Sequence, residues 1–146
     1  MAPITESVEI ARRPEEVFAY LDDLDRHGEW QEQLIAVRRE TEGPTGVGTR
    51  VTDTRKVPGG KRDVTYEITA HDPPRRSSFR GVNGPIRPVG TITVEPAGEE
   101  HSRVTLEIDF EGHGVGKLLV PLVRREARKN IPEDQRRLKE RLESGV

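Results

Sequence analysis

The chain has 146 residues, enough for one domain burying roughly 70% of the surface its unfolded form exposes. Hydrophobic residues make up 32% and charged residues 34%, so only patterning separates it from a disordered chain, and the net charge of -2 selects no partner. The absence of cysteine excludes disulfide scaffolds, thiolate metal sites and cysteine nucleophiles, and no apolar stretch approaches the ~20 residues that span a bilayer.

The first residues carry neither a basic start nor an apolar run of signal-peptide length, so a cytoplasmic protein is expected, without stable membrane insertion. Ile4 to Ile10 alternates, with Ile4, Glu6, Val8 and Ile10 on one side, as a half-buried strand does. Pro14 then opens a helix where its missing N–H is harmless, and Glu15 and Glu16 suit the positive helix start. Val17, Phe18, Leu21 and Leu24 form its apolar face.

A second short helix is expected over Asp25 to Leu34, weakened by Gly28 and making Trp30, Leu34 and Ile35 available to the core. A strand over Ala36 to Glu40 follows, then a turn at Gly43-Pro44-Thr45-Gly46. Five further strands are expected: Val47 to Val57, Lys61 to His71, Ser77 to Val82, Val89 to Glu95 and Arg103 to Glu111. Pro- and Gly-rich turns punctuate them. Val64, Tyr66, Ile68 and Ala70 share one face, as do Val104, Leu106, Ile108 and Phe110, which predicts one buried and one wet side.

From Val115 the apolar residues Leu119, Leu122, Val123, Ala127, Ile131, Leu138 and Leu142 fall at helical spacing. Pro121 and Pro132 predict a bend or break in this long helix. Acids crowd Glu6 to Glu32, and bases crowd Lys117 to Arg141. That polarity fits either a basic surface for nucleic acid or anionic lipid, or terminal regions packed side by side with complementary charge. Acids interspersed in the basic segment, from Glu126 to Glu143, allow intrahelical pairing and favour the second reading, with no nucleic-acid partner.

Four stretches carry a family resemblance: Ile10 to Asp23 (IARRPEEVFAYLDD) with Trp30 after it, Gly46-Val47-Gly48-Thr49, Tyr66 to Arg76 (YEITAHDPPRR), and Leu138 to Glu143 (LKERLE). On these the chain resembles the START-like or SRPBCC superfamily, in its bacterial polyketide cyclase/dehydrase and lipid-transport branch. The resemblance implies an α+β helix-grip fold: a curved antiparallel sheet of about seven strands around a long C-terminal helix, with two short helices after the first strand. It also implies a pocket between sheet and helix for a small hydrophobic molecule. The chain departs from the family pattern in the Gly- and Pro-rich loop Gly81 to Pro88 and at Glu99 to Val104.

The residues expected to line that pocket are Trp30, Val51, Asp53, Tyr66, Phe79, Phe110, Leu119, Leu122 and Val123. If Val47, Thr49 and Val51 face inward, the period of two also turns Asp53 and Arg55 toward it. Asp53, Tyr66 and His113 are the acid–base candidates, His113 because it lies just before the long helix. His27, His71, His101 and His113 show no ligand spacing, so no metal and no cofactor is expected. Gly112 to Lys117 is not a phosphate loop: three residues rather than four separate Gly112 from Gly116, and Leu118 follows the lysine. Three readings follow: a binding protein for a hydrophobic or amphipathic ligand, a cyclase, aromatase or dehydratase acting on a poly-β-keto chain, and an interaction module using the basic helix. The sequence fits a monomer or a homodimer equally well.

Overall fold

A computed structural model describes residues 2–145. Seven strands and two α-helices follow one another: β1 (Ile4–Ile10), α1 (Pro14–Asp22), a 3-10 turn (Leu24–Glu29), β2 (Leu34–Arg39), β3 (Arg50–Val57), β4 (Gly60–Asp72), β5 (Arg76–Gly81), β6 (Ile86–Pro96), β7 (Ser102–Gly112) and α2 (Gly116–Glu143). The strands form one antiparallel sheet in the order β1-β7-β6-β5-β4-β3-β2. This is the expected helix-grip arrangement, with α2 packed against the β1 and β7 side.

The expected faces hold where alternation was cleanest. Ile4 and Ile10 are buried between exposed Thr5, Ser7 and Glu9, and Tyr66 and Ile68 are buried along β4. Three boundaries are corrected. The second helix is only the six-residue 3-10 turn, because a segment so short, with Gly28 inside it, cannot sustain an α-helix; Leu34 opens β2 instead, which turns the next residue, Ile35, to solvent at 48% exposure. Val47 is 69% exposed in the preceding turn, since Gly48 adopts φ +93° there, and β3 begins at Arg50. β6 starts three residues early at Ile86; Pro88 lies beyond the last β5–β6 pair, Arg80 with Val89, where its missing N–H interrupts least.

Neither proline breaks α2, which runs unbroken over 28 residues. Buried Arg124 anchors it between the prolines, and buried Asp134, Gln135 and Leu138 anchor it after them, so packing outweighs the lost backbone bonds. Two apolar clusters result. One joins Ile10, α1, Trp30, Val94, Val104, Leu138 and Leu142; the other joins Leu24, Val51, Tyr66 and Ile68, with Val37 and Phe79 at its margin.

The opposed charges of the termini are neighbours in space. Arg141 reaches Glu29 at 3.1 Å and Arg137 reaches Glu32 at 3.3 Å. Lys139 donates to the Glu9 carbonyl at 3.0 Å, and Glu143 accepts the Ala11 N–H at 2.9 Å. Complementary packing therefore accounts for the C-terminal part of the basic segment.

Candidate functional site

The site begins on β3 and the residue before it. Thr49, Val51 and Asp53 are buried, at 5%, 0% and 6% exposure, and so is Thr52 between the last two, at 5%, its hydroxyl paired with that of Thr65 at 2.8 Å. Val51 stands opposite Tyr66, and Asp53 opposite Val64, on β4. Tyr66 meets Phe79 edge to face at 5.7 Å. The wall is thus apolar apart from the phenol, the Asp53 carboxyl and the Thr49 hydroxyl, which accepts the Gly46 N–H at 3.0 Å.

That carboxyl is poorly served. Its Oδ2 lies 3.5 Å from Arg55 Nη1, at the limit of a hydrogen bond, while its Oδ1 is buried with no partner among the described residues. Arg55 is occupied elsewhere, donating to Gln31 Oε1 at 2.8 Å. Burial therefore raises the Asp53 pKa to about 6, against the pull of Arg55. Burial also pushes the Tyr66 phenol up, and the nearby Asp53 charge adds to the shift.

The facing elements supply apolar surface. Phe79, Ile92, Leu106, Ile108 and Phe110 on the same side of the sheet, and Leu119 and Val123 on α2, are all half-buried. Two expected lining residues lie elsewhere. Leu122 is 44% exposed, because it follows Leu118 by four positions and shares its solvent face. Trp30, 7% exposed, packs in the cluster with α1 and Leu138 and stacks on His27 at 5.3 Å; it is a core residue. His113 sits on the surface, its side chain 46% exposed and 3.9 Å from Glu111.

Two constellations were not foreseen. His71 Nε2 lies 3.0 Å from both Asp22 oxygens and clamps the end of α1 to β4. Arg124, 3% exposed, pairs with Asp109 and donates to the Ala2 carbonyl at 2.8 Å, fixing α2 across the β1–β7 edge. A hollow of about 270 Å³ over β6 and β7 is lined by Val89, Thr91, Glu107, Asp109 and Phe110 among others, and by neither Asp53 nor Tyr66. Among the described residues no group of three His, Asp or Glu side chains is placed to hold a metal ion. No helix is long and apolar enough to cross a membrane.

Comparison with known proteins agrees with this geometry. The family model described as polyketide cyclase / dehydrase and lipid transport matches residues 1–143. An uncharacterized protein of Mycobacterium tuberculosis is 25% identical over 116 residues, covering 79% of this chain and 80% of the relative. Among solved structures, a Thermus thermophilus protein, TTHA0849, superposes with TM-score 0.81 at 24% identity over 99% of both chains. The Zhui aromatase/cyclase of a Streptomyces species superposes with TM-score 0.82 at 16% identity, over 95% of this chain and 92% of that one. A START superfamily protein of Mycobacterium smegmatis gives TM-score 0.81 at 13% identity over 100% of both chains. At such identities the superpositions establish the fold alone, and the family match over nearly the whole length establishes membership: the chain belongs to the polyketide cyclase / dehydrase and lipid transport family.

Proposed function

We propose that the protein binds a small hydrophobic or amphipathic molecule, lipid- or polyketide-like, between the concave face of the sheet and the N-terminal half of α2. The observation that carries this is the Asp53 Oδ1 atom, buried without a partner in an apolar wall. A buried unsatisfied acceptor costs about 1–3 kcal/mol, and a ligand hydroxyl donating to it recovers that penalty on binding. Half-buried apolar residues elsewhere on the same face of the sheet, Phe79 and Phe110, and on the helix, Leu119 and Val123, supply burial at roughly 25 cal/mol per Å² before the cost of association.

An environment-sensitive dye, anilinonaphthalene sulfonate, tests the reading, with palmitate as competitor. The wild-type protein is expected to enhance dye fluorescence and to lose the signal as palmitate is added. Leu119→Arg is expected to abolish the signal, whereas Leu122→Arg, on the solvent face, leaves it intact. A silent wild type, or a Leu119→Arg variant that still enhances, rejects the site.

One observation favours a second reading. A carboxyl titrating at about 6 is suited to exchange protons near neutral pH. In a cyclase or dehydratase acting on a poly-β-keto chain, Asp53 would take a proton from an acidic carbon, with Tyr66 hydrogen-bonded to the neighbouring carbonyl. Asp53→Asn separates the readings: a binding protein keeps 1-hexadecanol, whose hydroxyl can donate to Asp53, within about tenfold of wild type, in line with one lost hydrogen bond, while an enzyme loses turnover of an aromatic polyketide precursor.

A further inference from the structure

We propose that the solvent face of the N-terminal half of α2 docks on the surface of an anionic lipid bilayer. Val115, Leu118 and Leu122 are 74%, 84% and 44% exposed, a concentration of apolar surface found nowhere else among the described residues. At about 100° per residue, Leu118, Leu122, Arg125 and Lys129 fall within roughly 60° of one another on the helix. Leucines and cations therefore share one outward arc.

The cations are uncommitted. The ion pairs of α2 run through Arg124, Arg136, Arg137, Lys139 and Arg141. Lys117, Arg125, Arg128 and Lys129 are all exposed, and among the described residues no carboxylate lies within 4.0 Å of them. Glu126 is the only acid between Gly116 and Ile131. In the C-terminal half the same arc carries Glu133, Arg136 and Glu140, which satisfy one another at 2.8 and 2.6 Å.

Charge decides the occupant. A second copy related by a two-fold axis would set these four cations against themselves, which opposes association. Nucleic acid would use the cations but leave the leucines exposed. An anionic bilayer uses both: phosphate and carboxylate headgroups meet the Lys and Arg side chains while Leu118 and Leu122 enter the acyl boundary. The next residues in the chain, Leu119 and Val123, are half-buried and belong to the proposed ligand site, so docking would bring the bilayer against its wall. The inference stands independently of what occupies that site.

Co-sedimentation of the full chain with phosphatidylcholine vesicles, with and without phosphatidylserine, tests it. Binding is expected only with phosphatidylserine and should weaken as salt is added. Each cation near such a surface contributes about fivefold, so the triple variant Arg125→Gln/Arg128→Gln/Lys129→Gln should bind about a hundredfold more weakly. Leu118→Ser/Leu122→Ser, with every charge kept, should lose about tenfold or more. All these positions are exposed, and thermal melts of both variants are expected to match wild type. Equal binding to both vesicle types, no binding to either, or a leucine variant that binds like wild type overturns the proposal. So does self-association in sedimentation equilibrium that the leucine substitutions abolish, or binding to duplex DNA in place of vesicles.

Discussion

From Asp134 onward α2 buries Asp134, Gln135, Leu138 and Leu142, and closes its outer side with paired charges. Before Ile131 the same helix buries only Gly116 and Arg124 and turns Val115, Leu118 and Leu122 to solvent. One continuous helix thus has an anchoring half, which closes the core, and a half held mainly by the Arg124 link to Asp109 and Ala2, which leaves apolar surface on both sides. Helix formation alone does not distinguish the halves. What each side chain finds to pack against does.

The largest test of this contrast is truncation of one leucine from each half. Leu138→Ala, at a position 1% exposed, should lower unfolding free energy by about 2–5 kcal/mol in urea titration. Leu118→Ala, at 84% exposed, should change it by less than about 0.5 kcal/mol. Equal effects would erase the distinction.

A second test concerns the wall of the sheet that carries Asp53. The Asp53 carboxyl titrates at 3.8 in the unfolded chain and about 6 in the folded one. Between those values the folded state holds more protons, so this group makes stability fall as pH rises, and its penalty is complete above the folded value. Asp53→Asn should therefore match wild type at acid pH and exceed it by about 1–3 kcal/mol at neutral pH. His27, which burial keeps neutral below its usual range, slopes the other way, but it is common to both proteins and cancels in the difference. A difference that does not grow with pH would return the Asp53 side chain to solvent.

Amide exchange sharpens the comparison further. Amides of residues 119–127 should exchange about tenfold faster than those of 138–142, because fewer buried contacts must open. The smallest effect belongs to the exposed ion pairs: Arg136→Ala should lose at most about 0.5 kcal/mol, even though it removes contacts to both Glu133 and Glu140. A larger loss would mean that the anchoring half depends on its surface.

The fold was legible wherever one face of an element is wet. Ile4 to Ile10 and Val64 to Ala70 alternate because β1 and β4 each divide core from solvent, and that contrast is written in residue type. The second helix was misjudged because its few apolar residues, Trp30 and Leu34, fit helical spacing although Trp30 ends the 3-10 turn and Leu34 opens β2. In the site, Val51, Asp53 and Tyr66 were readable from a period of two along β3 and β4. Leu122 and Trp30 were not: the phase of α2 is set by Arg124 and Asp134, charged residues that composition marks as surface but that the structure buries. The Asp22–His71 clamp joins residues far apart in sequence, and no local pattern announces it.

The sheet order has a consequence for how the molecule assembles. β1 pairs only with β7, Ile4 lying opposite Ile108, whereas the strands between β2 and β7 each pair with their neighbours in sequence. Neighbouring hairpins close short loops, but β1 must wait for almost the entire chain before it gains a partner, and short-range closures precede long-range ones. Leu138 and Leu142, which complete the cluster around α1, leave the ribosome later still. During synthesis the meander can therefore form while its concave face stays open, and closure of the core is the final folding event.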